Sequence, residues 1–329
     1  MKAIVWTKYG SPNDVLELQD IDKPPVKDDE VLVRVHAAAL YGGDSVSGVP
    51  YFMRMATGLL KPKNAVPGFD VAGHVEEVGK NVTQFQPSDE VFGAIASGAC
   101  AEYACAAEDK FVLKPANLTF EQAAAVPTAA LTALQALRDQ GKVQPGQKVL
   151  IIGASGGVGT FAVQIAKSFG AEVTGVCSTR NIDLVRSIGA DHIIDYTHED
   201  FVRSGELYDL ILDIAGNRSL SHLRRALNPM GILVLVGGKF DPWLKGMGRM
   251  VQALVLSPFI SQMRWFVRVV NNEDLVIMKE LIETGAIRPV IDRAYPLSAT
   301  PEAVGYIEEG HARGKVIISV PQEGSSGHA

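Results

Sequence analysis

Apolar positions along the 329-residue chain follow two rhythms, and the change between them divides it. Over residues 2–110 the apolar runs are short and many alternate with polar positions; the clearest are 2–6, 31–38, 70–78 and 90–94. Pro24-Pro25, Gly42-Gly43, Pro67-Gly68 and Pro87 punctuate them. Runs of this kind, closed by proline and glycine, predict the strands of a compact, barrel-like antiparallel domain. From Thr119 the period lengthens, and residues 120–140 carry Ala and Leu at helical spacing until Pro145-Gly146 turns the chain. Strand-like runs at 148–152, 172–177, 192–195, 210–213 and 232–236 then alternate with helical stretches, notably 181–189 and 220–227. That alternation predicts parallel strands joined by right-handed helical crossovers, a doubly wound α/β sheet. The chain ends in β character again, with a strand at 288–293, a helix at 301–309 and a strand at 315–320. The economical organisation is discontinuous: 1–123 and 272–329 form one lobe, and 124–271 the other.

The most informative stretch is KVLIIGASGGVGTFAVQIA, residues 148–166. The apolar run Val149 to Ile152 stops at Gly153, Gly156, Gly157 and Gly159, and Phe161, Val163, Ile165 and Ala166 then bury one helical face. Strand, tight turn and helix in that order let backbone approach a pyrophosphate closely, and the helix start offers N–H groups and a positive dipole end. Ser155, Gly156, Gly157 and Val158 are the predicted contacts of a dinucleotide in this Rossmann turn. The next strand leads into Ser178, Thr179 and Arg180, with no acid between Glu172 at its start and Asp183. An NAD site places an Asp or Glu roughly 20 residues past the glycines to hold the ribose 2′-hydroxyl. Hydroxyls and a guanidinium suit a 2′-phosphate instead. Ser178 and Arg180 therefore predict NADPH as the cofactor, against the plainer reading of a solvated loop.

Composition narrows the partners. The chain is 47% hydrophobic and 21% charged with a net charge of −6, which argues against nucleic acid. Cys100, Cys105 and Cys177 show no pairing pattern and read as reduced thiols. The N-terminus has no long apolar core of a signal peptide, and residues 250–260 are too short to span a bilayer, so no integral membrane segment and a cytoplasmic location are expected. The tail PQEGSSGHA reads as disordered.

Several ordered pieces together resemble the medium-chain dehydrogenase/reductase superfamily over nearly the whole chain. They are PGFDVAGHVEEVG (67–79), DEVFG (89–93), AEY (101–103), VPTAALTALQAL (126–137), GQKVLIIGASGGVG (146–159), GADHIIDY (189–196), YDLILDIAG (208–216), GILVLVGG (231–238) and HARGKVIISV (311–320). Within it, the chain is similar to the quinone oxidoreductase, or zeta-crystallin-like, group, and PYFMRMATGLLKPKNAVPG (50–68) is similar to a reticulon-interacting-protein-like branch. The resemblance implies a Rossmann domain plus a GroES-like, mainly β catalytic domain built from both chain ends.

Zinc-dependent relatives carry a catalytic Cys where this chain has Tyr41, and a His-Glu pair where it has Phe69-Asp70. Their third ligand has no counterpart in 123–135, the lobe that holds a structural zinc is missing, and Cys100, Cys105 and His74 suggest no convergence. A zinc-independent enzyme is expected. Without a Lewis acid, hydride delivery to a quinone or to the β-carbon of an enone is the accessible chemistry, because the charge spreads over a conjugated system.

By the same resemblance Thr132 lies beside the nicotinamide, Gly237 and Gly238 allow close approach to it, Tyr196 flanks the adenosine end, and Arg313 and Lys315 return toward the cofactor. Plainer roles stay open: a helix residue for Thr132, a turn for the glycines, strand-end packing for Tyr196 and a solvated edge for Lys315. On the substrate side Asp44 matches an Asn-x-x-Asp element whose Asn is Tyr41 here, and Tyr51 matches a pocket tyrosine. Either phenol could donate to an enolate oxygen or form an aromatic wall. His36 reads as a satisfied interior or edge residue and Asp213 as a structural strand-end group. Residues 247–270 mix apolar groups with Arg249, Arg264 and Arg268 and read as pocket rim and core, or as the interface of a homodimer. The leading expectation is an NADPH-dependent quinone or enone reductase with a small-molecule substrate. A nucleotide-binding sensor or partner-binding protein with little turnover is the other, motivated by Tyr41 filling the pocket.

Overall fold

The computed structural model describes residues 1–42, 58, 62, 65–236 and 262–322. Asp44, Tyr51, Gly237, Gly238 and most of 247–270 lie outside the described residues. The chain divides into two compact units: Met1–Thr128 with Val270–Gly285 and Pro289–Ala329, and Ala129–Val269 with Ala286–Arg288.

The first unit opens with β1 (Lys2–Trp6) and β2 (Leu16–Asp20), an antiparallel pair. β3 (Glu30–Leu40), β4 (Asp70–Val78), β5 (Glu90–Ala94), β6 (Tyr103–Ala107) and β7 (Phe111–Leu113) follow. β3 pairs antiparallel with both β4 and β6, so it is flanked on two sides and nearly every residue is buried. A short helix, Phe120–Ala124, is entered through a capping box in which Thr119 and Gln122 satisfy each other's backbone N–H groups. The helix Pro127–Gln135 comes next and ends in a π turn, Ala136–Gln140.

The second unit holds β8 (Lys148–Ile152), β9 (Glu172–Cys177), β10 (His192–Asp195), β11 (Tyr208–Asp213), β12 (Leu227–Leu235) and β13 (Met263–Trp265). Their order across the sheet is β10-β9-β8-β11-β12-β13, and every pairing is parallel. This is the doubly wound order in which the chain runs outward from β8 and then reverses from β11, leaving a switch point between them where nucleotides bind. Val149 to Ile152 are buried in succession, as expected of a strand covered on both faces. The helices Gly157–Ser168, Ile182–Ser187 and Leu220–Arg225 intervene between strands.

The chain then returns to the first unit through the helix Asn272–Glu283, β14 (Ile291–Pro296), the helix Thr300–Glu308 and β15 (Lys315–Ser319). β15 pairs with β3, completing a sheet of order β14-β15-β3-β4-β5-β7 with β6 also on β3. Its core gathers Ile4, Val33, Leu40, Val71, Val91, Phe111, Val316 and Ile318 from both ends of the chain.

Three expectations are corrected here. The first unit is not purely antiparallel, because β14 runs parallel to β15 with a register shift after Ile291. That strand starts at Ile291 rather than at 288, since Arg288 instead accepts and donates backbone bonds with the Gln164 side chain. The strand expected at 232–236 is β12, which begins at Leu227, with an irregularity between Tyr208 and Leu210 on its partner absorbing the extra length.

Candidate active site

The glycine turn lies at the carboxyl end of β8, beside the switch point. Gly153 takes φ +93°, a conformation that L side chains rarely adopt, and its N–H and that of Ala154 reach the Val176 carbonyl at the end of β9. On the other side Ile214 and Ala215 donate to the Ile152 carbonyl, so both neighbouring strands grip the start of the turn. Gly156 and Gly159 serve different ends. A Cβ on Gly159 would run into the Gly153 carbonyl oxygen, so this glycine lets helix and strand pack closely. A Cβ on Gly156 would meet only the same oxygen, at 3.6 Å, so protein packing does not demand glycine there. The space it leaves is the kind through which a phosphate can approach the backbone. Gly156 is the N-cap of Gly157–Ser168 and supplies no side-chain cap, which leaves the helix start to a ligand.

The second loop follows β9. Ser178 is half-buried and Arg180 exposed in a single 3₁₀ turn, Thr179–Asn181. Thr179, one of the three donors read from the sequence, is exposed but has its hydroxyl engaged within the protein. Its Oγ1 donates to Asp195 Oδ2 at 2.5 Å, and Thr197 gives the same carboxylate a backbone N–H and a hydroxyl. These bonds, Thr179 first, hold the Asp195 carboxyl below the usual carboxylate range. Asn181, which the sequence did not single out, is the hub. Its Nδ2 donates to Ser155 Oγ (2.9 Å) and Ser178 Oγ (3.3 Å), linking the phosphate turn to the second loop. Tyr196, at the end of β10, is 48% exposed and its N–H reaches the Cys177 carbonyl, so its ring stands at the rim of that loop.

In the first unit the positions that the resemblance associates with metal ligands carry other chemistry. Tyr41 and Phe69 meet edge to face with ring centroids 5.2 Å apart. Asp70, fully buried, accepts from the Thr128 backbone N–H at 2.9 Å, capping the start of Pro127–Gln135, and from Lys315 Nζ at 3.2 Å. Lys315 is 3% exposed and also donates to the Leu40 carbonyl. The reading of Lys315 as a solvated edge residue is thereby corrected: β15 is an interior strand and its lysine neutralises a buried carboxylate. A phenol, a phenyl ring and a carboxylate already held by an ammonium do not make a zinc ligand set. Among the described residues, no cluster of three or more His, Cys, Asp or Glu is placed to hold a metal.

A histidine pair stands on the same sheet. His74 Nδ1 lies 2.8 Å from His36 Nε2, and His36 stacks on Phe120 at 4.3 Å. Burial, and then the proximity of His74, push the His36 pKa down to about 4, so the ring is neutral at physiological pH. Thr132 is half-buried on Pro127–Gln135. Arg313 is exposed, with its backbone N–H on Asp292. Asp213 is buried at the end of β11 and accepts the Gly216 N–H, the structural role read from its position. No helix among the described residues is long and apolar enough to cross a membrane.

Comparison with known proteins places this geometry. Residues 27–136 match the family described as alcohol dehydrogenase GroES-like domain, and residues 188–318 the one described as zinc-binding dehydrogenase. The mitochondrial NAD(P)H oxidoreductase RTN4IP1 of Mus musculus is 35% identical over 365 residues, covering 97% of this chain and 89% of that protein. The 2-methylene-furan-3-one reductase of Solanum lycopersicum is also 35% identical, over 97% of this chain and 79% of its own length. The solved structure of the quinone oxidoreductase from Coxiella burnetii superposes with a TM-score of 0.85 at 32% identity, covering 98% of this chain and 99% of that one.

Proposed function

Because the chain belongs to the medium-chain dehydrogenase/reductase family, within its quinone oxidoreductase group, we propose that it is an NADPH-dependent, zinc-independent reductase of quinones or α,β-unsaturated carbonyls. At the coarser level it is an oxidoreductase of the NAD(P)H quinone and enone reductase type. The observation that carries the finer reading is a contrast of donor sets. The nucleotide turn keeps its uncapped helix start and a second loop whose exposed cation is Arg180, while the corner that would need metal ligands presents Tyr41, Phe69 and a Lys315–Asp70 pair.

When bound, the nicotinamide supplies a hydride. The chain's own residues do the rest. The N–H groups at the start of Gly157–Ser168 hold the pyrophosphate, and Ser178 and Arg180 hold the 2′-phosphate. Thr132, Gly237 and Gly238 are assigned to the nicotinamide end and Tyr196 to the adenosine. Hydride arriving at an enone β-carbon leaves negative charge on the carbonyl oxygen. A positioned phenol, Tyr51 or Tyr41, stabilises that oxygen and can deliver a proton to it, with Asp44 beside them in sequence.

The test is NADPH oxidation with a panel of quinones, enones and simple ketones, with and without a strong chelator. Turnover of conjugated substrates that ignores the chelator is expected. Turnover confined to the simple ketones would overturn the proposal, and NADPH binding without any turnover would favour a sensor instead.

A further inference from the structure

Asn181 is a buried amide whose hydrogen bonds serve neither a helix cap nor a backbone group. It is the N-cap residue of Ile182–Ser187, 5% exposed, with φ −110° and ψ 0°. With ψ near 0° it prolongs the 3₁₀ turn Thr179–Asn181 instead of taking the extended backbone of a capping residue. Here the side chain makes no cap. Oδ1 is buried without a hydrogen-bond partner among the described residues, a cost that calls for explanation. What the side chain does instead is give Nδ2 to Ser155 Oγ and Ser178 Oγ, at 2.9 and 3.3 Å. Closing the loop after β9 does not require the bond to Ser178, since the Asn181 backbone N–H already reaches the Ser178 carbonyl at 2.8 Å.

A serine hydroxyl has one proton and can both donate and accept. When an amide N–H occupies its lone pair, the proton is turned away from that amide and becomes a donor to something else. Asn181 imposes this on two serines at once, one in the turn after β8 and one in the loop after β9. We infer that Asn181 is a positioning residue for cofactor selection: it orients the Ser155 and Ser178 hydroxyls as donors to phosphate, and it couples reading of the 2′-phosphate to grip on the pyrophosphate. The inference rests on the NADPH reading above.

The decisive variant is Asn181→Thr, because threonine keeps a small polar side chain there yet lacks the amide that donates to both serines. Titration with NADPH and NADH, read by cofactor fluorescence, separates the roles, with thermal melting as the control. N181T is expected to melt no lower than wild type while NADPH affinity falls about tenfold and NADH affinity falls by less than about threefold, the loss of one oriented charge-assisted contact. Adding S178A to N181T is expected to reduce the preference no further. Retained preference in N181T, or losses that simply add, would overturn the inference. S155A and S178A give an independent reading even if N181T does not fold: held by one amide group, they are expected to be non-additive for NADPH, and additive losses count against the inference. Wild-type protein that binds both cofactors equally would overturn the NADPH reading and this inference with it. A wild-type preference that survives in the variants overturns the inference alone.

Discussion

The turn between Gly153 and Gly159 and the corner formed by Tyr41, Phe69, Asp70 and Lys315 are built on opposite plans. The turn works through backbone: left-handed φ at Gly153, close packing at Gly159, open space at Gly156 and an uncapped helix start, all within seven consecutive residues. The corner works through side chains that meet only after folding, from β3, β4, Pro127–Gln135 and β15. One is tuned to receive an anion, the other has its charge closed off internally. The contrast teaches that a glycine turn is set by consecutive residues, whereas a packed ring pair and a buried ion pair depend on residues far apart in the chain.

The largest effect is expected from breaking that ion pair. Lys315→Met leaves the buried Asp70 carboxylate uncompensated and should destabilise the first unit by about 3–5 kcal/mol in a denaturant melt. The double variant Asp70→Leu with Lys315→Met should recover most of this, falling short by about 1 kcal/mol because Thr128 also loses its cap. Equal losses in single and double variants would show that the pair is not the source.

The nucleotide side is probed by Arg180→Ala. Loss of a charge-assisted contact to the 2′-phosphate is worth about 1.5–3 kcal/mol, roughly ten- to a hundredfold in NADPH affinity, with NADH nearly unchanged. Ser178→Asp should act in the same direction by repulsion. Parallel losses for both cofactors would assign Arg180 to the fold or the adenine.

Within the turn, the two glycines should part company. Gly159→Ala forces a Cβ onto the Gly153 carbonyl and is expected to cost about 1–3 kcal/mol of stability, as overpacking does. Gly156→Ala should melt close to wild type and lose cofactor affinity by about tenfold, or about 1.4 kcal/mol. Melting curves and titrations of the pair that failed to diverge would erase the distinction between packing glycine and ligand glycine.

The smallest effect concerns the His36–His74 pair. The folded chain holds His36 neutral with a pKa near 4, against 6.5 when unfolded, so below pH 6.5 the unfolded state takes up a proton that the folded state refuses. Stability is therefore full above pH 6.5 and lost as pH falls toward 4, by on the order of 1 kcal/mol given the water at this half-buried ring. His36→Gln should flatten the profile in that window. Arg34, Glu90 and Glu121 also act on this ring, so a slope persisting in the variant would reassign the effect to them.

Legibility in the sequence followed the same division. The strands of the nucleotide sheet and the glycine turn could be read because their signals are local: apolar runs, glycines and helical spacing. Short or small-residue strands could not. Tyr103–Ala107 is mostly alanine, Phe111–Leu113 and Met263–Trp265 have three residues each, and all are strands because of the neighbours they pair with. The helix Asn272–Glu283 did leave a signal that was passed over, an Asn cap at Asn271 and buried Leu275, Met278 and Ile282 on one face. Asp70 was noticed only as a residue that is not a metal ligand, because its partner is 245 positions away in Lys315. Asn181 carries no sequence signal beyond opening a helical stretch, and only the structure shows its amide turned to the serines.

The most direct test of the central claim follows a labelled hydride. NADPH carrying deuterium at the transferable C4 position is incubated with an enone and with protein stripped of metal by chelation. Deuterium on the β-carbon of the product, at a rate unchanged by chelation, is the predicted result. Product without label, or activity that disappears on chelation and returns with added zinc, would contradict it.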